Sequence, residues 1–170
     1  MPEPVPRAGR GVDLDGTTLT VIADRVGGRA ETRGVSNGKD TAMTSQPTPV
    51  DPPQLHQSPA FAQGMIAPAG PTLYVGGQNG TDGAGALLDG LAAQTEQALR
   101  NVLAVLAEAG TGPEHVAKLT IYLDPSVDPD EAYAATGAVW GEHRTAVTVL
   151  GVAPARPGAL VEIEAIATIP

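Results

Sequence analysis

The sequence predicts an α+β fold in which two helices cover one face of a four-stranded sheet, and three patterns predict it. Helical periodicity over 91–109 and again over 129–140 alternates with strand-like runs at 72–78 and 118–123. Two β-branched runs, 145–150 and 160–169, then close the chain with only a Gly/Pro-rich connection between them. The resulting order, β, α, β, α, β, β, leaves both helices available to one side of a single sheet.

Thr72 to Gln78 alternates as a strand, with Leu73 and Val75 on one face and Thr72 and Tyr74 on the other, and it ends in the turn-like Gly76-Gly-Gln-Asn-Gly80. Leu91, Thr95, Ala98, Val102, Val105 and Ala109 form a narrow apolar stripe on the first helix, which Gly110 stops. Thr111 to Glu114 has the spacing of a capping box and opens a short helical turn before the strand Lys118 to Leu123. Asp128, Pro129 and Glu131 supply an N-cap, a proline at the first helical position and an early carboxylate, so the second helix runs from there to about Trp140.

Residues 1–58 read as an N-terminal extension separate from the domain at 59–170. Thr17 to Ala23 and Arg29 to Val35 form a candidate hairpin around Gly27-Gly28, and Ser36 to Pro59 is a polar, proline-rich linker. Charge separates the two parts: residues 1–42 carry six bases and six acids, whereas residues 43–170 carry four bases and thirteen acids and so hold the whole net charge of −9.

That charge, with aromatics at only 3 %, repels phosphate backbones and offers few stacking surfaces, which argues against nucleic acid as a partner. The absence of cysteine excludes a disulfide framework, a thiol nucleophile and thiolate metal sites. His56, His115 and His143 have no ligand spacing, so no metal is expected. No apolar run approaches the roughly 20 residues of a membrane span, and Met1-Pro-Glu-Pro lacks signal-peptide character, so a soluble cytoplasmic protein is the default.

With Leu119, Ile121, Leu123, Val147, Val149, Val161, Ile163 and Ala165 turned toward the helices, the opposite sheet face carries Tyr74, Tyr122, Ala146, Leu150, Leu160 and Ile166 among Lys118, Thr120, Arg144, Glu162 and Glu164. Such a face is too apolar to be simply wet, and a homo-oligomer is expected to cover it.

Arg144 opens the fourth strand in a cation-poor region, and its planar fork suits a carboxylate. A surface or intersubunit salt bridge is the plainer alternative. Glu162 and Glu164, two apart on the neighbouring strand-like segment, share one face roughly 7 Å apart. If that strand is buried they need partners, for which Arg144 and Lys118 are available. Otherwise they line a solvated face. The glycine-rich turn at 76–80 lacks a P-loop lysine and reads as the end of a strand.

From about Ser58 to Thr168 the chain resembles the reactive intermediate deaminase (RidA/YjgF) family. The resemblance rests on Val75-Gly-Gly-Gln78, Gln94-Thr-Glu-Gln-Ala-Leu-Arg-Asn-Val102, Lys118-Leu-Thr-Ile-Tyr122 and Val161-Glu-Ile-Glu-Ala-Ile-Ala167. It implies a chorismate-mutase-like homotrimer with three sites between subunits. It also implies cofactor-free hydrolysis of small reactive 2-imino or 2-enamino acids to 2-oxo acids and ammonia.

In that resemblance Arg144 grips the substrate carboxylate, Glu162 and the main-chain carbonyl of Ala146 position the attacking water, and Phe61, Gly77 and Thr145 complete the substrate pocket. The chain departs from the family in several places: Glu142-His143 replaces the small or proline residues before the arginine, Ala146 replaces a frequent cysteine, Phe61 lacks a tyrosine hydroxyl, and the loop from Val149 to Leu160 is long. These departures suit two alternatives, a non-catalytic trimer that binds a metabolite or partner protein, and a pathway-specific enzyme on the same scaffold.

Overall fold

The computed structural model describes residues 10–12, 18–20 and 45–170, which belong to two compact units, Met1–Thr41 and Ala42–Pro170. In the first unit β1 (Arg10–Val12) pairs antiparallel with β2 (Thr18–Thr20). The strand expected near Thr18 is present, paired with the segment before it; its expected partner, Arg29 to Val35, lies outside the described residues.

The second unit opens with β3 (Thr48–Val50), antiparallel to β4 (Gly64–Ile66). There follow β5 (Thr72–Asn79), α1 (Leu91–Glu108), a 3-10 turn at Pro113–His115, β6 (Val116–Leu123), α2 (Pro129–Trp140), β7 (Ala146–Gly151) and β8 (Val161–Thr168). Four strands make the main sheet in the order β5-β8-β6-β7. β8 is antiparallel to both its neighbours, while β6 and β7 are parallel, as a strand pair joined by a helical crossover must be. The α+β class, with a mixed sheet and two helices, is what the structure shows.

Leu99, Val102 and Leu106 of α1 pack against Leu119 and Leu123 of β6 and against Val161, Ile163 and Ala165 of β8, all buried. α1 buries a broader face than a narrow stripe: Gln94, Leu99 and Leu106 join it, and Val105 is only half-buried. Gln94 is buried because it ties two loops together. Its Oε1 accepts the Leu160 N–H at 2.8 Å, and its Nε2 donates to the carbonyls of Leu88 (2.9 Å) and Gly158 (3.2 Å).

The α2 start is as expected: the Asp128 side chain accepts the Asp130 N–H at 2.9 Å, with proline next in the chain. At the 3-10 turn the capping expectation fails, because the Thr111 hydroxyl donates to the Thr168 carbonyl at 2.9 Å and Gly112 is the N-cap. The 76–80 segment is not a strand-ending turn either. β5 runs through to Asn79 by means of a bulge between Val75 and Gln78. Within the expected linker, residues 45–58 contribute β3 to the domain, since a three-residue edge pairing tolerates Pro49 where a central strand would not.

Candidate functional site

The sheet has a covered face and an open one. On the open face the strand registers align Tyr74, Ile166, Lys118 and Ala146 in one row, then Glu164, Thr120 and Thr148, then Asn79, Glu162, Tyr122 and Leu150. Tyr74 is 75 % exposed, Leu150 43 % and Ile166 37 %, so the face presents large apolar side chains around a polar centre.

The polar centre is an ordered set of hydrogen bonds. Tyr122 O–H donates to Glu164 Oε1 at 3.1 Å. That bond, together with partial burial and the negative charge of Glu164 and Glu162, raises the Tyr122 pKa above its ordinary value and holds the phenol protonated. Lys118 Nζ donates to the Thr148 hydroxyl. Asn79 Nδ2 donates to the Val161 carbonyl at 3.1 Å and reaches Glu162 Oε2 at 3.4 Å.

Asn79 is itself anchored from α1. Asn101 Nδ2 donates to the carbonyls of Asn79 and Thr81, both at 3.0 Å, and Gln97 Nε2 donates to Asn101 Oδ1 at 2.9 Å. Gln97 and Asn101, one helical turn apart, were the available sequence signal for this support. Gly77 lies against the same carboxylate: a Cβ there would stand 1.8 Å from Glu162 Oε1.

Arg144 sits elsewhere, two residues before the edge strand β7, which starts at Ala146 rather than at the arginine as expected. Its Nη2 is 2.9 Å from Asp51 Oδ2, 3.0 Å from the Phe61 carbonyl and 3.1 Å from the Ser58 carbonyl, and its buried Nε has no hydrogen-bond partner. Asp51 was not among the expected site residues. Its Oδ1 accepts the Gln63 N–H at 2.9 Å, and this bond, with the Arg144 guanidinium, lowers its pKa below the ordinary value. Ala146 is half-buried, forms a parallel bridge with Ala62 and so docks the 51–62 segment along β7.

Thr145 turns the opposite way from Arg144. Only 1 % exposed, its hydroxyl donates to the Val116 carbonyl at 2.9 Å, so the side chain expected at a substrate is instead tied into the interior. Phe61 is half-buried and lines a cavity of about 600 Å³ with Leu99, Ile121, Trp140 and Val147. This cavity lies on the helix side of the sheet, where α2 contributes only Ala132, Ala135 and Trp140 as buried side chains, and so opposite to Glu162.

Arg144 and Lys118 are not the partners of the glutamate pair. β7 and β8 are consecutive in the chain, but β6 lies between them. Glu162 is level with Tyr122 and, beyond it, with Leu150, six residues past Arg144. Two interstrand steps across and six residues along place the two residues about 20 Å apart in one chain. Among the described residues no group of three or more His, Cys, Asp and Glu gathers to hold a metal ion, and no helix is long and apolar enough to cross a membrane.

A split βαβ sheet with two helices on one face, an open apolar face and an exposed glycine set against a strand carboxylate defines a Rid-type domain. Residues 54–169 match the model of the family described as Endoribonuclease L-PSP. The chain belongs to this family, also called RidA/YjgF or RutC. A RutC family protein of Synechocystis is 31 % identical over 115 residues, spanning 65 % of this chain and 78 % of the relative.

Among solved structures, a Rid family protein of unknown function from Yersinia pestis superimposes with a TM-score of 0.66 at 32 % identity, covering 73 % of this chain and 99 % of that one. RidA from an Antarctic Psychrobacter gives 0.55 at 28 % identity over 74 % and 98 %, respectively. The YjgF product of E. coli gives 0.55 at 28 % over 66 % and 94 %.

Proposed function

We propose that this chain hydrolyses small reactive 2-imino or 2-enamino acids to 2-oxo acids and ammonia, at sites built between copies of itself in a homotrimer. The observation that carries the proposal is the separation of the two chemical groups. Arg144 and Glu162 cannot meet one small substrate within a chain, while an open face with exposed Tyr74, Leu150 and Ile166 calls for a second copy. In an assembled site, Arg144 at the edge of one copy binds the carboxylate and Glu162 on the face of another faces the imine carbon.

The chemistry asks little more. Water attacks the protonated imine carbon as Glu162 accepts a water proton. The resulting carbinolamine takes that proton back from Glu162 on nitrogen, the C–N bond breaks and ammonia leaves, and the carbon–oxygen double bond forms as Glu162 accepts the hydroxyl proton, which passes on to ammonia or solvent. Orientation of water and substrate with one acid–base carboxylate is enough for this sequence. Asn79, fixed from α1 through Asn101, orients the carboxylate, and Gly77 leaves room for it. No cofactor enters any of these steps. The nuclease activity in the family description is disfavoured for this chain, since a net charge of −9 repels a polyanion.

The test is release of ammonia and pyruvate from enzymatically generated 2-iminopropionate, comparing the protein with Arg144→Ala. Removing the guanidinium should lower kcat/KM by about 30- to several-thousand-fold, or roughly 2 to 5 kcal/mol. Rates equal to the buffer blank for 2-iminopropionate and its larger homologues, from a folded oligomer, refute the assignment.

A further inference from the structure

The contacts of Arg144 deepen the proposed function and rest on it. A guanidinium holds a carboxylate by two parallel N–H···O bonds in one of two ways, through Nε with Nη2 or through Nη1 with Nη2. Both ways need Nη2. In this chain the two Nη2 hydrogens already face three acceptors, Asp51 Oδ2 and the carbonyls of Phe61 and Ser58, while Nε lies buried without a partner. An incoming carboxylate therefore cannot form either two-bond arrangement until one resident acceptor lets go.

Asp51 is the resident acceptor of the same chemical kind as the substrate. It is held for the purpose: its side chain is only 19 % exposed, its second oxygen accepts the Gln63 N–H, and the adjoining residues Val50 and Gly64 are register partners in the β3–β4 pair. The main-chain carbonyls belong to the segment docked on β7 and cannot leave without disturbing the Ala62–Ala146 bridge, whereas release of Nη2 by Asp51 gives up hydrogen bonds of one side chain only, those to Arg144 and to the Gln63 N–H.

We infer that Asp51 is a specificity-determining residue of this site, an intramolecular carboxylate that competes with the substrate carboxylate for Arg144. Substrate must displace it to be gripped, and the 2-oxo acid product, which keeps the same carboxylate, is expelled as Asp51 returns. The device raises the concentration of carboxylate ligand needed for occupancy. It leaves a neutral analogue untouched.

The test uses the full chain and its Asp51→Asn variant, which preserves shape and an acceptor for Gln63 but removes the charge. Each is titrated with pyruvate and, as a neutral counterpart, pyruvamide. The variant should bind pyruvate about tenfold more tightly, with pyruvamide affinity changed less than twofold, and KM for 2-iminopropionate should fall by the pyruvate factor. A purely structural role would move both ligands together.

Equal pyruvate affinities in the two proteins overturn the competition. In the wild-type protein the Asp51 carboxyl, followed by carbon-13 NMR, should titrate at higher pH once pyruvate is saturating. No movement overturns the inference without recourse to any variant. Hydrolysis of 2-iminopropionate with equal affinities sinks the competition and keeps the deaminase; tighter pyruvate binding by the variant with no hydrolysis by either protein does the reverse.

Discussion

Gly77→Ala isolates the role of Glu162 without touching it. A Cβ on residue 77 would lie 1.8 Å from Glu162 Oε1, 2.7 Å from Cδ and 2.9 Å from Cγ. Ordinary carbon–oxygen contact begins near 3.4 Å, so the carboxylate must withdraw by about 1.5 Å. Gly77 is not among the glycines with positive φ, so alanine fits the backbone, and the obstructing atoms are the far end of a flexible side chain. The fold should lose less than about 1 kcal/mol. If Glu162 is the acid–base group of the proposed function, catalysis should lose far more, because moving such a group by an ångström or more costs on the order of 100-fold in kcat, about 2.7 kcal/mol. Ammonia release from 2-iminopropionate under saturating conditions, read beside a thermal melt, measures both. Combining the substitution with Glu162→Gln should add little to the loss from Glu162→Gln alone, since both disable one group. A melt within a few degrees of wild type together with kcat within about threefold would show that Glu162 does not act from the position it occupies here.

Two further outcomes follow from local geometry. Gly137 lies inside α2 with nothing within 4 Å of a Cβ, so Gly137→Ala should stabilise the protein by about 0.5 to 1 kcal/mol, seen as a higher urea midpoint at unchanged slope; a lower midpoint would refute the argument. Asp51 has its carboxyl pKa lowered from the ordinary 3.8, first by the Gln63 N–H and also by Arg144, so its contribution to stability is present above about pH 4 and is lost as pH falls through the folded value. The urea midpoints of wild type and Asp51→Asn should accordingly differ at pH 6 and converge on acidification, and a gap that persists to pH 2 would contradict the reading.

The architecture was legible because its signals are local. Asp128 and Pro129 start α2 whatever surrounds them, and alternation in 118–123 and 161–168 sets which side chains face the helices. What escaped was set by tertiary context. Gln94 is polar by composition yet 3 % exposed, because two loops converge on its amide, and Gly80 approaches α1 so closely that a Cβ would stand 2.3 Å from the Gln94 Cα. Val149 has the parity of a core residue but is 51 % exposed on the edge strand. The 45–58 stretch reads as linker by its prolines, yet it delivers β3 and Asp51, since a short edge pairing leaves almost no periodic trace.

The mutual placement of the candidate residues was not legible in the sequence. Consecutive strands usually lie side by side, and on that basis Arg144 and Glu162 belong together. Here β8 enters between β5 and β6, leaving β6 between the arginine's strand and the glutamate's. That one insertion explains three observations: the glutamates are satisfied by Asn79 and Tyr122 rather than by a cation, Arg144 turns instead to Asp51 at the sheet edge, and the open face keeps its apolar side chains exposed. On the proposed function, a chain folded this way carries the two halves of the site, Arg144 and Glu162, and cannot join them alone. Association through the open face would bury the apolar residues and bring the halves from different copies together in one event, so assembly and activity should be lost together. Lys substituted for Ile166, 37 % exposed beside Tyr74 and with no catalytic assignment, is the direct probe: the protein should become monomeric by sedimentation and inactive toward 2-iminopropionate. A folded monomer that retained full activity would show that one copy suffices, against the 20 Å separation read from the sheet.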